Sequence, residues 1–196
     1  MSLPELILAS QSPRRRELLG GTGISFRVVV MPTDEAHDAS MSPQELCLLN
    51  AREKAAVVFA EHPDCMVIGA DTLVFIDGVP LGKPRDLHEA KEMLARLSGS
   101  IHEVCTGVVV CSPSGNDEFA VTTKVVFKVL GECEIARYLE LVHVLDKAGA
   151  YAYQEHGEMI VDHIEGSPTN VIGLPMEKVT DYLNSRGYVI NDFDSL

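Results

Sequence analysis

Positive charge is scarce in this 196-residue chain: 16 Lys and Arg stand against 29 Asp and Glu, for a formal net charge of −13. A surface that acidic repels phosphate backbones and anionic lipid, which argues against a general nucleic-acid binder or a membrane-surface protein. Any anionic ligand must then be held by a local cluster of cations. Five cysteines (Cys47, Cys65, Cys105, Cys111, Cys133) form no C-x-x-C and no zinc-type spacing with the seven histidines. They read as buried thiols of a reducing compartment, and the cytoplasm is the expected location. No apolar run approaches the ~20 residues that cross a bilayer. The basic run Arg14-Arg15-Arg16 follows the apolar stretch 6–9 instead of preceding it, so no signal peptide is expected. Also missing are the G-x-x-x-x-G-K-[ST] loop, a completed G-x-G-x-x-G, the H-E-x-x-H zinc motif and the G-x-S-x-G elbow.

What is present is ordinary globular composition, 46% hydrophobic and 23% charged. A chain of this length buries roughly 70% of its unfolded surface without staples, and nothing divides it, so residues 1–196 read as one domain. Apolar strands are expected over 5–9, 25–31, 66–70 continuing through 73–76, 104–111, 121–129 and 159–164. Helices are expected from Pro13 to Gly20, from the Ser42-x-x-Glu45 capping box to about residue 60, from Asp86-x-x-Glu89 to Leu97, over 132–141 and over 175–186. In the third helix Leu87, Ala90, Leu94 and Leu97 share one face; in the strand 121–129, Val121, Thr123, Val125, Phe127 and Val129 point one way. Mixed βα units and hairpins predict an α/β fold with a mixed sheet.

Three features are chemically unusual. Arg14, Arg15 and Arg16 occupy the first turn of a helix, where the macrodipole already disfavours cations by ~0.3–1 kcal/mol each. With Ser10 and Ser12 at the same strand–loop–helix junction, they point to an anion, the alternative being solvated surface arginines. Asp71 closes the run 66–70 and could hold a cation or take a proton from water; as a turn aspartate it would only bond nearby amides. Asp34-Glu35 alone reads as a solvated loop, but a second carboxylate from it could complete a hard-cation site. Lys83, fixed between Gly82 and Pro84, suits a phosphate, and Lys54 lies beside the apolar stripe of its helix, where it is either drawn inward or snorkels. The small-residue segment Asp146–Tyr151, followed by Gln154, would let backbone approach a ligand. His102 and His163 read as structural.

The blocks Leu8-Ala9-Ser10-Gln11-Ser12-Pro13-Arg14-Arg15, Ala51-Arg52-Glu53-Lys54-Ala55, Gly69-Ala70-Asp71-Thr72, Gly82-Lys83-Pro84-Arg85-Asp86, Leu97-Ser98-Gly99, Asp146-Lys147-Ala148-Gly149-Ala150-Tyr151 and Val171-Ile172-Gly173-Leu174-Pro175 resemble, in order, the motifs of the Maf family of nucleoside triphosphate pyrophosphatases. The resemblance implies a mixed twisted sheet with flanking helices, in two lobes around a central cleft, related to the inosine triphosphatases and assembled as a homodimer. It implies hydrolysis of a nucleoside triphosphate to the monophosphate and pyrophosphate with Mg2+ or Mn2+, as a housecleaning activity. Ser10, Ser12, Arg14, Arg15 and Gln154 would bind substrate, Asp71 and Glu35 would serve metal and water with Asp71 the base, and Lys54 and Lys83 would neutralise phosphate charge. Two departures bear on substrate. Leu141-Val142-His143 stands where many members have Ser-Gly-Glu. The usual Ala-Tyr-Gly-Ile-Gln-Gly is replaced by Ala150-Tyr151-Ala152-Tyr153-Gln154-Glu155-His156-Gly157. Gln154 is similar to the branch acting on dTTP and UTP, so a pyrimidine nucleotide is expected. The alternatives are 7-methyl-GTP or a non-catalytic nucleotide-binding regulator of septum formation. A phosphatase of the aspartyl-phosphate type ranks last, because D-x-D is missing around Asp71.

Overall fold

The computed structural model describes residues 3–36, 38 and 40–190. Its strands are β1 (Leu6–Leu8), β2 (Phe26–Val28), β3 (Met66–Ile76), β4 (Val79–Leu81), β5 (Ile101–Ser112), β6 (Gly115–Phe127) and β7 (Val161–Glu165). The helices are α1 (Pro13–Gly20), α2 (Pro43–Glu61), α3 (Leu87–Leu97), α4 (Glu132–Leu141), α5 (Pro168–Ile172) and α6 (Met176–Ser185). All seven strands share one mixed sheet in the order β2-β1-β3-β5-β6-β7, with β4 added beside β3. β1 lies parallel to both β2 and β3, and every other pairing is antiparallel.

The long strands β3 and β5 carry two lobes. Their near halves, with Ile68, Val108 and Val110, pack with Leu6 and Leu8 against Leu18 and Leu19 of α1 and Val179 and Leu183 of α6. On the opposite face Val67 and Val109 meet Ala51, Ala55 and Val58 of α2. Their far halves, with Val74, Ile76 and Val104, join Val125 and Phe127 of β6 beneath Leu94 and Leu97 of α3 and Ile135 and Tyr138 of α4. This is the expected two-lobed α/β architecture.

Several local expectations are corrected. Residues 25–31 pair only over Phe26–Val28, because β2 is a sheet edge and leaves Val28 and Val30 exposed. Leu87 opens α3 one position after its Asp86 cap, ahead of the packed stretch, and is exposed. The alternation over 121–129 fails at its end: a register irregularity against β7 at Val126/Phe127 terminates β6, and Val129 points to solvent at 88% exposure. The strand expected at 159–164 starts at Val161, behind a single 3-10 turn at Gly157–Met159. The short α5, capped by Ser167, was not expected.

Two glycines set how closely α2 lies on the sheet. A Cβ on Gly69 of β3 would stand 2.5 Å from the Ala51 carbonyl oxygen and 2.8 Å from the Ala55 nitrogen. On Gly107 of β5 it would stand 2.6 Å from the Leu48 nitrogen. Backbone faces backbone at both places, so nothing flexible can give way. Gly69→Ala should therefore lower the unfolding free energy by about 1–3 kcal/mol, read from urea titrations; an unchanged midpoint would show that the helix does not rest on the sheet there.

His102 of β5 is buried, with Nε2 2.9 Å from the Tyr151 hydroxyl and its ring edge-on to Phe127 at 4.8 Å. Among the described residues its Nδ1 has no hydrogen-bond partner, and burial pushes its pKa down from 6.5 to about 4. The folded value lies below the unfolded one, so the associated stability is complete above pH 6.5 and is lost as pH falls towards 4. The full loss is on the order of 3 kcal/mol. In His102→Gln, the stability slope between pH 6.5 and about 5 should flatten relative to the parent; parallel slopes would contradict the burial argument.

Candidate active site

Along one side of β3 the sheet has a gap. β1 pairs with Met66–Ile68 and β4 with Val74–Ile76, leaving residues 69–73 without a strand on that flank. Asp71 and Thr72 lie in this gap. The expectation that Asp71 ends a strand is thus corrected: β3 runs unbroken to Ile76, with Asp71 opposite Gly107 of β5. What ends there is β1, whose chain turns through Ser10–Ser12 into α1. The crevice outside a parallel strand's carboxyl end is where α/β sheets gather ligands.

That gap opens into a cavity of about 990 Å3. Ser10, Ser12, Arg14, Arg15, Glu35, Lys54, Asp71, Lys83 and Gln154 all line it, so the residues singled out from the sequence face one hollow. Glu35 lines the wall and Asp34 does not.

At the floor, the Lys54 ammonium donates to Asp71 Oδ1 at 2.6 Å and to Glu35 Oε1 at 2.8 Å. Asp71 is 5% exposed, and its second oxygen accepts from Asn50 Nδ2 at 3.0 Å. Asn50 is fixed in turn by Ala36, whose amide donates to Asn50 Oδ1 at 2.8 Å. Asn50 and Lys54 are one turn apart on α2, on the face that Gly69 and Gly107 admit to the sheet. The lysine is therefore drawn inward, as one of the two sequence readings allowed.

The arginine triplet divides. Arg16 is exposed, and Arg14 is half-buried and reaches Asp146 at 3.5 Å. Arg15 is buried, donating to the Gly173 carbonyl at 2.8 Å, Thr72 Oγ1 at 2.9 Å and Ser10 Oγ at 3.3 Å. Gly173 presents that carbonyl from φ 133°, a conformation that favours glycine. All three acceptors are neutral, and among the described residues Arg15 has no ion pair. Burial pulls its pKa down, partly countered by the charge of Asp71. A buried guanidinium without direct counter-charge is costly, and an anion in the cavity removes that cost. Ser12 caps α1 through the Arg15 amide, and its own amide donates to Ser10 Oγ at 3.2 Å.

On the side of the far lobe, Val74, Val104, Tyr151 and Ala152, with Val171, make an apolar wall. The Gly149 amide donates to the Gly82 carbonyl at 3.1 Å, tying the Lys83 loop to this side. Sequence reasoning assigned no role to Asn50, Thr72, Thr106, Lys147 or Asn170. Asn50 carried a usable signal, a polar residue one turn before Lys54 on the same stripe. The relay Thr72–Thr106–Asn170, with links of 2.9 and 3.1 Å, carried none, because its members meet only through the fold.

Glu35 and Asp71 converge on one nitrogen, and among the described residues no group of three His, Cys, Asp or Glu side chains gathers. Two hard oxygen donors with open space beside them fit a small divalent cation whose shell is completed by phosphate oxygens.

A family model described as Maf-like protein matches residues 5–186. The chain belongs to that family. It is 59% identical over 186 residues to a dTTP/UTP pyrophosphatase of Akkermansia muciniphila, covering 95% of this chain and 98% of the relative. It is 46% identical over 173 residues to one of Bacillus velezensis, covering 88% and 92%, and 45% identical over 189 residues to one of Anaeromyxobacter dehalogenans, covering 94% and 95%. Among solved structures the fold is similar to the Staphylococcus aureus Ham1 protein, with a TM-score of 0.52 at 14% identity over 92% of this chain and 98% of that one. This agrees with the inosine-triphosphatase-like fold expected from the sequence.

The Arg15 contacts use its Nε and both terminal nitrogens, a fork that lysine cannot reproduce. Arg15→Lys should weaken binding of inorganic triphosphate about tenfold, or ~1.4 kcal/mol, by titration calorimetry. Equal affinity would mean that the guanidinium serves the fold alone.

Proposed function

We propose that the chain acts as one pyrophosphatase domain, hydrolysing nucleoside triphosphates, dTTP and UTP foremost, to the monophosphate and pyrophosphate. The observation that carries this reading is the cavity itself: cations of α1, α2 and the Lys83 loop converge with Asp71 and Glu35 on one hollow, which the far lobe's core lines with apolar side chains. Relatives named dTTP/UTP pyrophosphatases at up to 59% identity support the choice of substrate.

In this reading Arg14, Arg15, Ser10 and Ser12 hold the phosphate tail at the start of α1, where backbone amides and the macrodipole assist. Lys83 and Lys54 offset charge that builds on the departing pyrophosphate. Asp71 takes a proton from a water whose oxygen attacks the α-phosphorus, and the bond to the bridging oxygen of the β-phosphate breaks. Asn50 and Lys54 aim the Asp71 carboxylate and leave lone pairs on each of its oxygens for that water. Glu35 and Asp71 would hold the divalent ion, Mg2+ or Mn2+, which supplies charge neutralisation at the phosphates. The base would lie against the wall of Val74, Tyr151 and Val171, with Gln154 at the mouth. We further propose a homodimer in the cytoplasm, with no nucleic-acid partner, in keeping with the net charge of −13.

Asp71→Asn keeps the shape and removes the base, so kcat should fall about 10²–10⁴-fold while the melting temperature stays close to the parent's. Unchanged turnover removes Asp71 from this role. With dTTP, UTP, CTP and 7-methyl-GTP as substrates, the released product should be pyrophosphate, with the first two preferred. Chelation should abolish turnover, and added Mg2+ or Mn2+ should restore it. Binding without any product would favour the regulator instead.

A further inference from the structure

Lys147 lies in the cavity wall, 5% exposed, and spends its ammonium inside the protein. It donates to the His143 carbonyl and pairs with Asp146 Oδ1 at 3.0 Å and Glu155 Oε1 at 3.5 Å. Two of its three N–H donors go to the His143 carbonyl and Asp146, and its charge is shared with Glu155. Lys147 therefore acts through what it holds. On one side that is Asp146, which also meets Arg14 at 3.5 Å on the phosphate end of the cavity. On the other it is Glu155, next in the chain to Gln154 at the mouth.

The chain between and just beyond these anchors holds unusual backbone conformations. Gly149, Ala150 and His156 all have positive φ, at 69°, 59° and 56°. Non-glycine residues keep such conformations only where the surroundings enforce them, and the Lys147 clamp spans the segment that contains the first two. Glycine stands at the position of Glu155 in the family pattern described above, so this ion pair belongs to this chain's own departure from that pattern.

We propose that the Lys147–Glu155 ion pair is a specificity-determining device: it fixes residues 153–155, and Gln154 with them, against the base of the nucleotide, without adding to the grip on the phosphates. This rests on the reading of the cavity as a nucleoside triphosphate site. Glu155 is a positioning residue, 42% exposed at its side chain, whereas its partner is 6% exposed. Removing it leaves a buried ammonium with less counter-charge, but Asp146 and the His143 carbonyl still hold Lys147, so the fold survives.

Calorimetry on the full chain with a non-hydrolysable α,β-methylene analogue of dTTP, and separately with inorganic triphosphate, tests the pair. Glu155→Ala should weaken the analogue about tenfold, or ~1.4 kcal/mol, and inorganic triphosphate less than about twofold. Glu155→Gln, which keeps an acceptor and loses the charge, should fall between parent and alanine variant. Lys147→Met also frees Asp146 and should weaken both ligands. Unchanged affinity of Glu155→Ala for the analogue, or equal losses for both ligands, overturns the proposal. A parent protein that binds the analogue but turns over no nucleotide sinks the activity reading, and the same two constants still judge the ion pair. A parent that binds inorganic triphosphate but not the analogue overturns both.

Discussion

The contact on which the site depends is backbone against backbone, where α2 crosses β3 and β5 at Gly69 and Gly107. Helices normally stand about 10 Å from a sheet because side chains separate them. Here the missing Cβ atoms let α2 settle, so that Asn50 and Lys54 reach Asp71 from directly above. Each then meets one oxygen of the same carboxylate, at 3.0 and 2.6 Å. A longer approach would need extended rotamers and would leave Asp71 free to turn. The orientation of that carboxylate is thus a consequence of packing and not of the side chains alone.

A second constraint is the gap in the sheet. If β1 continued past Leu8, which stands opposite Ile68, its backbone would cover residues 69–73 of β3, and no ligand could reach Asp71. Serine and proline at 10–13 end the strand and start α1, and the same turn delivers Arg15 to Thr72 and Gly173. Opening the crevice and charging it are one structural event.

Much of this was legible in the sequence where the signal is local. Ser42-x-x-Glu45 and Asp86-x-x-Glu89 fix helix starts because each Ser or Asp side chain accepts from an amide three residues on. The anion site at Arg14 and Arg15 could be anticipated from cations that are costly at a helix start, and the convergence of Lys54, Lys83 and Asp71 on it from the resemblance to the family's motifs. Properties set by distant partners were not legible. Val129 loses its inward direction through an irregularity against β7, a strand more than thirty residues later. Asp71 meets the cavity because the neighbour of β3 stops, not because β3 does. The Thr72–Thr106–Asn170 relay joins three elements that no spacing rule connects.

The two ends of the cavity differ in how the chain supplies them. The polar end draws on β1, α1, α2, β3 and the Lys83 loop, so a change in any one element disturbs the rest. The wall opposite the arginines combines Tyr151 and Ala152 with Val74 of β3, Val104 of β5 and Val171 of α5. That wall is also core of the far lobe: Tyr151 is buried and its hydroxyl lies 2.9 Å from His102 Nε2. Reshaping the hollow for another nucleobase therefore means repacking a core, which ties preference to the stability of the fold.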